Sequence, residues 1–148
     1  MPISFELTPQ MMREIIMDHY SSPRHKMAPT DGSGYKQTHS SSVNCIDDID
    51  VFLKCENGVV VDALWTGVAC AISTASTDIL CDLLIGKNEG EAQYIIDQYH
   101  HMIHEEEYDA SVLEEALAFM NTSKQAARIH CATIGWDAFE ELMKEKDQ

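Results

Sequence analysis

Basic residues and long apolar runs are both scarce in this sequence. Ten lysines and arginines stand against 25 aspartates and glutamates, which gives a formal net charge of -15 over 148 residues. Such a chain repels nucleic-acid phosphates and anionic lipid headgroups, so neither nucleic acid nor a membrane surface is expected as a partner. A partner protein with a basic contact face would instead be attracted.

Membrane and export signals are missing as well. No stretch approaches the roughly 18 consecutive apolar residues of a membrane-spanning helix. The opening residues, MPISFE, do not show the basic segment and apolar run of a secretory signal peptide. We therefore expect a cytoplasmic protein, in which thiols stay reduced.

Closely paired cysteines are absent too. The five cysteines are Cys45, Cys55, Cys70, Cys81 and Cys131, and they form no C-x2-C pair of the kind found in zinc fingers. A reducing compartment argues against a disulfide framework. These cysteines are better interpreted as metal ligands, nucleophiles or core residues.

What the sequence does contain is sufficient for one hydrophobic core. Apolar residues make up 45% of the chain, which is ordinary for a globular protein. A chain of this length suits one domain that buries roughly 70% of its unfolded surface. We predict a single domain over residues 1–148.

Local signals divide the first half into a helix, a loop and a hairpin. Thr8-Pro9 predicts the start of a helix that ends before Pro23, and a loop follows with a short edge strand near residues 35–40. Asn57-Gly58 predicts the turn of a β-hairpin. Gly67 is expected to break the second hairpin strand, just before the chain enters a helix.

The second half of the sequence has helical apolar spacing throughout. One apolar stripe begins at Ala92, and another runs from Val112 to Met120 with Asp109 as a cap. Cys131 is expected at or just before the start of the last helix. We predict an α+β fold in which helices pack on one side of a small three-stranded antiparallel sheet.

The cysteines divide into two groups by their surroundings. Cys55 falls on the apolar face of a predicted strand and Cys81 in an apolar helical stretch, so both are interpreted as core residues. Cys45, Cys70 and Cys131 lie at the ends of predicted elements, where unpaired backbone N–H groups are found. These three cysteines are the candidate site.

Residues next to these cysteines could complete a metal site. Asp47 and Asp48 follow Cys45 closely, and His130 directly precedes Cys131. Three thiolates with one nitrogen or oxygen donor satisfy a tetrahedral zinc ion, and the same ligands suit an iron–sulfur cluster. A carboxylate binds a soft metal less tightly than a thiolate does, so the site is expected to be labile.

Arg128, three residues before Cys131, has two interpretations. Its charge could stabilise a thiolate and help to hold a persulfide. It could equally be a surface residue that balances some of the acidic side chains. The sequence leaves both open.

Four segments, in order along the chain, resemble the SufU/IscU/NifU-N-type iron–sulfur cluster assembly proteins. Residues 11–24, MMREIIMDHYSSPR, are similar to the family's opening helix, and residues 44–47, NCID, resemble its first cysteine loop. Residues 67–76, GVACAISTAS, resemble its G-x-G-C-x-I-S-x-A-S helix entry. Residues 127–136, ARIHCATIGW, resemble its third-cysteine segment. An additional helical stretch around residues 105–120 is most similar to the SufU branch.

The resemblance implies a SufE/NifU-like fold and a specific site. It implies zinc or a transient 2Fe–2S cluster held by Cys45, Asp47, Cys70 and Cys131. It also implies a pyridoxal-phosphate-dependent cysteine desulfurase of the SufS type as sulfur donor, and downstream iron–sulfur acceptor proteins. Cys45 is the expected sulfur acceptor and Cys131 the alternative, in a monomer or weak homo-oligomer.

One departure from the family pattern affects the fourth ligand. Ile46 stands where the family usually has glycine, and a β-branched residue is strongly disfavoured at positive φ. The direction of the Asp47 side chain is therefore open. Asp48 and His130 remain alternative fourth ligands.

Two other functions are open from the residues alone. A structural zinc protein would use the three cysteines and His130 as a closed site. An independent enzyme with a Cys131–His130 pair is disfavoured, because adjacent residues on a helix do not face each other. We expect a scaffold or zinc-bound sulfur acceptor, sulfurtransferase-like, rather than an independent enzyme.

Overall fold

The computed structural model describes residues 7–31, 33–42 and 46–145. Its elements, in chain order, are α1 (Pro9–Ser21), β1 (Tyr35–Ser41), β2 (Asp48–Glu56), β3 (Val59–Val68), α2 (Ala71–Leu84), α3 (Glu89–Ile103) and α4 (Ala126–Lys144). Short 3₁₀ helices at Ala110–Val112, Glu114–Phe119 and Thr122–Lys124 connect α3 to α4. Among the described helices, none has the length and apolar character needed to cross a bilayer.

The first helix begins and ends where its sequence signals place it. Thr8 is the N-cap, and its Oγ1 accepts a hydrogen bond from the Met11 N–H at 3.1 Å. Pro9 follows at the first helical position, where a missing N–H has no consequence. The helix ends at Ser21, two residues before Pro23, as predicted.

The three strands form one antiparallel sheet in the order β1-β2-β3. Asn57 and Gly58 have φ values of 54° and 77°, which suits the tight turn between β2 and β3. The predicted edge strand is β1. The α+β prediction is confirmed, because α2 packs against β3 and α4 packs against β1 and β2.

The prediction that Gly67 breaks the second hairpin strand was wrong. Strand β3 continues to Val68, and Gly67 pairs with Ile49 inside the ladder. A Cβ at Gly67 would lie 2.2 Å from the Asp48 carbonyl oxygen, and its φ is 120°. Glycine is therefore needed here for close strand approach. The pairing extends to Asp48, which brings residue 47 beside the start of α2.

The segment from Val112 to Met120 is 3₁₀ rather than α-helical, which corrects the prediction of a regular helix there. Three of its four buried residues, Leu113, Ala116 and Phe119, are spaced by three, which is the period of a 3₁₀ helix; the fourth is Ala118. Asp109 caps only the short 3₁₀ helix Ala110–Val112, since its Oδ1 accepts from the Ser111 N–H at 3.0 Å.

Cys131 lies inside the last helix and not at its start, which is a third correction. Helix α4 begins at Ala126, so Cys131 is in its second turn and is 8% exposed. Gly135, one turn later, allows α4 to approach α2 closely, because a Cβ there would lie 2.2 Å from Thr77 Oγ1. The contact turns the Cys131 side of α4 toward the start of α2.

Candidate metal and sulfur site

Three of the predicted ligand residues meet where the sheet joins the helices. Asp47 precedes β2, Cys70 is the N-cap of α2, and Cys131 lies in α4. One ligand atom from each lies within 4.8 Å of the other two. Cys45, the fourth predicted ligand, lies outside the described residues.

The Cys70 thiol is held at the N-terminus of α2. Its Sγ accepts a hydrogen bond from the Ser73 N–H at 3.4 Å. The thiol thus takes the place of the hydroxyl or carboxylate that usually caps a helix. The sulfur faces the positive end of the helix dipole, which favours an electron-rich ligand atom.

The Asp47 carboxylate is buried and fixed by the same helix end. Asp47 is 1% exposed. Its Oδ1 accepts from the Cys70 N–H at 2.8 Å, and its Oδ2 accepts from Ser73 Oγ at 2.5 Å. The Cys70 sulfur lies 4.0 Å from Oδ2. These contacts direct the carboxylate toward the thiols.

Ser73 connects Asp47 to Cys131, a role that our sequence analysis did not assign. Its Oγ lies 2.5 Å from Asp47 Oδ2 and 2.9 Å from the Cys131 carbonyl oxygen. A hydroxyl has one hydrogen, so it donates to one of these oxygens at a time. The sequence feature that could have identified Ser73 as a site residue is its position three residues after Cys70, inside the helix-entry segment.

Ile46 does not turn Asp47 away from the site. The Ile46 side chain is 63% exposed, whereas the Asp47 carboxylate points inward. Val68 is 60% exposed and pairs, through its backbone, with Asp48. Two apolar side chains, Ile46 and Val68, therefore flank the site on the surface.

The other predicted site residues lie outside the cluster of Asp47, Cys70 and Cys131. His130 and Arg128 are exposed on α4. Asp48 is exposed and pairs with His39, whose Nε2 lies 2.6 Å from its Oδ1. His130 diverges from Cys131 because successive helix residues point about 100° apart.

The remaining cysteines behave largely as core residues. Cys81 is fully buried in α2, and burial raises the pKa of its thiol well above the usual value. Cys55 is half-buried in β2 and packs against the core. Neither belongs to the cluster of candidate ligands.

The donor set fits a zinc ion or an iron–sulfur cluster. Zinc bonds to thiolates at about 2.3 Å, so tetrahedral ligand atoms lie roughly 3.8 Å apart. The three described ligand atoms lie within 4.8 Å of each other, which requires only a small contraction. Two thiols and one carboxylate leave one position, for which Cys45 is the predicted ligand.

A known protein family matches most of the chain. The family model described as NifU-like N terminal domain matches residues 11–145. The chain therefore belongs to the NifU-like N-terminal domain family, whose SufU and IscU members are iron–sulfur cluster assembly proteins.

Two relatives within this family are a SufU protein and an IscU protein. The chain is 33% identical over 138 residues to the zinc-dependent sulfurtransferase SufU of Bacillus subtilis, covering 93% of this chain and 92% of that protein. It is 27% identical over 135 residues to the iron–sulfur cluster assembly scaffold protein IscU of Thermotoga maritima, covering 91% and 94%.

Solved structures share the fold. A candidate iron–sulfur cluster assembly scaffold for the SUF system, from Fervidobacterium islandicum, superposes with a TM-score of 0.77 at 25% identity, covering 88% of this chain and 95% of its own. A hypothetical protein of known structure superposes with a TM-score of 0.84 at 28% identity, covering 93% and 100%.

Proposed function

We propose that this chain is a zinc-bound sulfur acceptor of iron–sulfur cluster assembly. The observation that carries the proposal is the convergence of Asp47, Cys70 and Cys131 within ligand distance. The similarity to a zinc-dependent sulfurtransferase supports zinc as the resident ion. A PLP-dependent cysteine desulfurase of the SufS type is the sulfur donor, and the cytoplasm is the compartment.

Cys45 is the proposed acceptor because both described thiols of the site are constrained. Cys131 is 8% exposed, and the Cys70 sulfur caps α2. Bound zinc would keep the coordinating cysteines in the thiolate form. Asp47, Cys70 and Cys131 would remain as ligands when Cys45 reacts.

The sulfur-transfer step is a thiol–disulfide-type exchange. The Cys45 thiolate attacks the outer sulfur of the desulfurase persulfide, and a new S–S bond forms on Cys45. The bond between the outer sulfur and the desulfurase cysteine breaks, and that cysteine leaves as a thiolate. The step conserves electrons, so it needs no oxidant or reductant.

Metal analysis tests the site directly. Protein purified without added metal or chelator should contain about one zinc per chain, and Cys70→Ala should lose it. Cys55→Ser, a cysteine outside the cluster, is the matched control and should retain it. Zinc content that is unchanged in Cys70→Ala would overturn the proposed site.

Sulfur labelling tests the acceptor role. Incubation with a cysteine desulfurase and ³⁵S-cysteine should label wild-type protein and Cys55→Ser, but not Cys45→Ala. Zinc that is retained without any labelling would instead support a structural zinc site.

A second function, cluster scaffold, is favoured by the similarity to IscU scaffold proteins. The same three described ligands would then hold a transient 2Fe–2S cluster as cargo. Iron in proportion to acid-labile sulfide, after anaerobic reconstitution, would support this function. If bound zinc blocked cluster formation and supported sulfur uptake, the result would favour the sulfur-acceptor function.

A further inference from the structure

A second group of metal-ligating side chains meets toward the other end of α2. His19 from α1, Asp82 from α2 and Glu115 from the 3₁₀ segment each place one ligand atom within 4.8 Å of the others. Asp82 lies twelve residues after Cys70, which is about 18 Å along a helix axis. This group is therefore separate from the cysteine site.

The buried His19 ring is oriented by a buried carboxylate. His19 and Asp78 are 1% and 0% exposed, and His19 Nδ1 lies 2.7 Å from Asp78 Oδ2. Asp78 also accepts from the backbone N–H groups of Arg24 at 3.0 Å and His25 at 2.8 Å, and from Trp65 Nε1 at 3.3 Å.

This arrangement fixes which nitrogen of His19 faces outward. A carboxylate that already accepts three N–H groups is an acceptor for His19 as well, so Nδ1 carries the hydrogen. Nε2 is hydrogen-bonded to Glu115 Oε1 at 3.1 Å, so it also carries a hydrogen here, which a bound metal ion would displace. A histidine that donates one ring N–H to a carboxylate is the usual form of a metal ligand.

His25 places a second imidazole beside Asp82, next to the group of His19, Asp82 and Glu115. Its Nε2 lies 2.5 Å from Asp82 Oδ1, and its side chain is 16% exposed. Asp78 thus supports both histidines, through the His19 ring and the His25 backbone. Two imidazoles face two carboxylates, and a divalent ion bound among them would replace their mutual contacts.

The group opens to solvent through an acidic cavity. A cavity of about 310 Å³ is lined by Ile79, Asp82, Leu83, Glu114 and Glu115, without a basic residue. The Asp82 and Glu115 side chains are 44% and 49% exposed, so an ion could enter and keep water ligands. Arg24, the nearby cation, is paired with Asp18 at 2.5 Å.

We propose that His19, His25, Asp82 and Glu115 form a second site, for a divalent transition-metal ion. Nitrogen and oxygen donors without sulfur suit zinc, iron(II), manganese or cobalt. A third cluster, His100, Asp137 and Glu140, is a weaker candidate because Lys144 Nζ lies 3.7 Å from Glu140 Oε2.

Cobalt(II) titration of the full chain tests this site. Cobalt at the cysteine site should give an intense sulfur-to-metal charge-transfer band, whereas cobalt at an imidazole–carboxylate site should give only weak ligand-field bands. Wild-type protein should bind two cobalt ions with distinct spectra. Cys70→Ala should lose the charge-transfer band and retain the other ion, so the two proposals can fail independently.

Substitutions in Asp82 and His25, which are less buried than His19, locate the second ion. Asp82→Asn and His25→Gln should each weaken it by at least tenfold, with unchanged circular dichroism, whereas Asp137→Asn in the weaker cluster should not. Two results would overturn the proposal. One is a single cobalt ion with charge-transfer character; the other is a second ion bound equally by Asp82→Asn, His25→Gln and Asp137→Asn.

Discussion

At the scale of single residues, Ser73 is the side chain that connects the candidate ligands. It contacts Asp47 and the Cys131 carbonyl through Oγ, and Cys70 through its backbone N–H. Groups that orient metal ligands in this way typically contribute 10–100-fold to metal affinity. Ser73 therefore belongs to the candidate site although it is not itself a proposed ligand.

Ser73→Ala should weaken zinc binding by about 10–100-fold, because Asp47 loses the contact that fixes Oδ2. Competition for zinc against a chromophoric chelator measures the zinc affinity of wild-type protein and of Ser73→Ala. Ser76→Ala is a matched control one helical turn later. Ser76 Oγ accepts from Trp136 Nε1 at 2.8 Å and donates to the Ala132 carbonyl at 2.6 Å.

The control separates orientation of the ligands from stability of the fold. Ser76→Ala should lower the free energy of unfolding by roughly 1–3 kcal/mol, because a buried indole N–H loses its acceptor. Its zinc affinity should change little. Equal zinc affinity in wild-type protein and Ser73→Ala would show that Ser73 does not position Asp47.

Residue type and motif predicted Asp47, Cys70 and Cys131 as neighbours, but they did not predict Ser73. A serine near a helix start is common as a local capping residue. Its contact with Cys131 depends on how closely α4 crosses α2, which Gly135 and Thr77 determine. Such a crossing involves residues 58 positions apart and has no local sequence signal.

At the scale of elements, His100 joins α3 to α4. Its Nε2 lies 3.1 Å from Asp137 Oδ1. The hydrogen bond to Asp137 raises the pKa of His100, with further contributions from the charges of Glu140 and Asp97, while burial opposes the rise. The protonated ring therefore stabilises the packing of the two helices.

The free energy of unfolding should carry a pH-dependent contribution from this pair. Because the folded-state pKa lies above the ordinary value of 6.5, the contribution is complete below that pH. This contribution is lost as the pH rises through the raised pKa of His100 in the folded state. A partly exposed pair contributes about 0.5 kcal/mol.

Urea denaturation, carried out at a series of pH values from below 6.5 to above the raised pKa of His100, measures the contribution. Asp137→Asn and His100→Gln should each remove it, and the double variant should lose no more than either single variant. A difference between wild-type protein and Asp137→Asn that is the same at every pH would contradict the assignment.

Sequence patterns predicted most elements because their signals are local. Thr8-Pro9 and Asn57-Gly58 act through their own backbone conformation, so their roles are visible in the sequence. Gly67 was misinterpreted because its role is a close approach to Asp48 in the neighbouring strand. The start of α4 was misplaced because no side chain caps it at Gln125.

At the scale of the whole molecule, a net charge of -15 attracts surfaces of opposite charge. The cysteine site lies beside the exposed apolar side chains Ile46 and Val68, and the exposed Asp48 is close to both along the strands. An apolar patch with acidic neighbours suits a partner whose contact face combines apolar and basic residues.

Association with the proposed cysteine desulfurase should therefore depend strongly on salt. The association rate constant, measured by stopped-flow fluorescence, should fall about tenfold or more from low ionic strength to physiological salt. Charges near the contact should matter most, because screening limits their range to about 8 Å at physiological salt.

Two variants with the same change in net charge separate local from global attraction. Asp48→Asn combined with Asp50→Asn, on β2 near the site, should slow association more than Glu106→Gln combined with Glu107→Gln, which lie after α3. Equal slowing by both pairs would indicate attraction by net charge alone. A rate constant that does not vary with salt would show that the acidity of this chain has no part in binding the desulfurase.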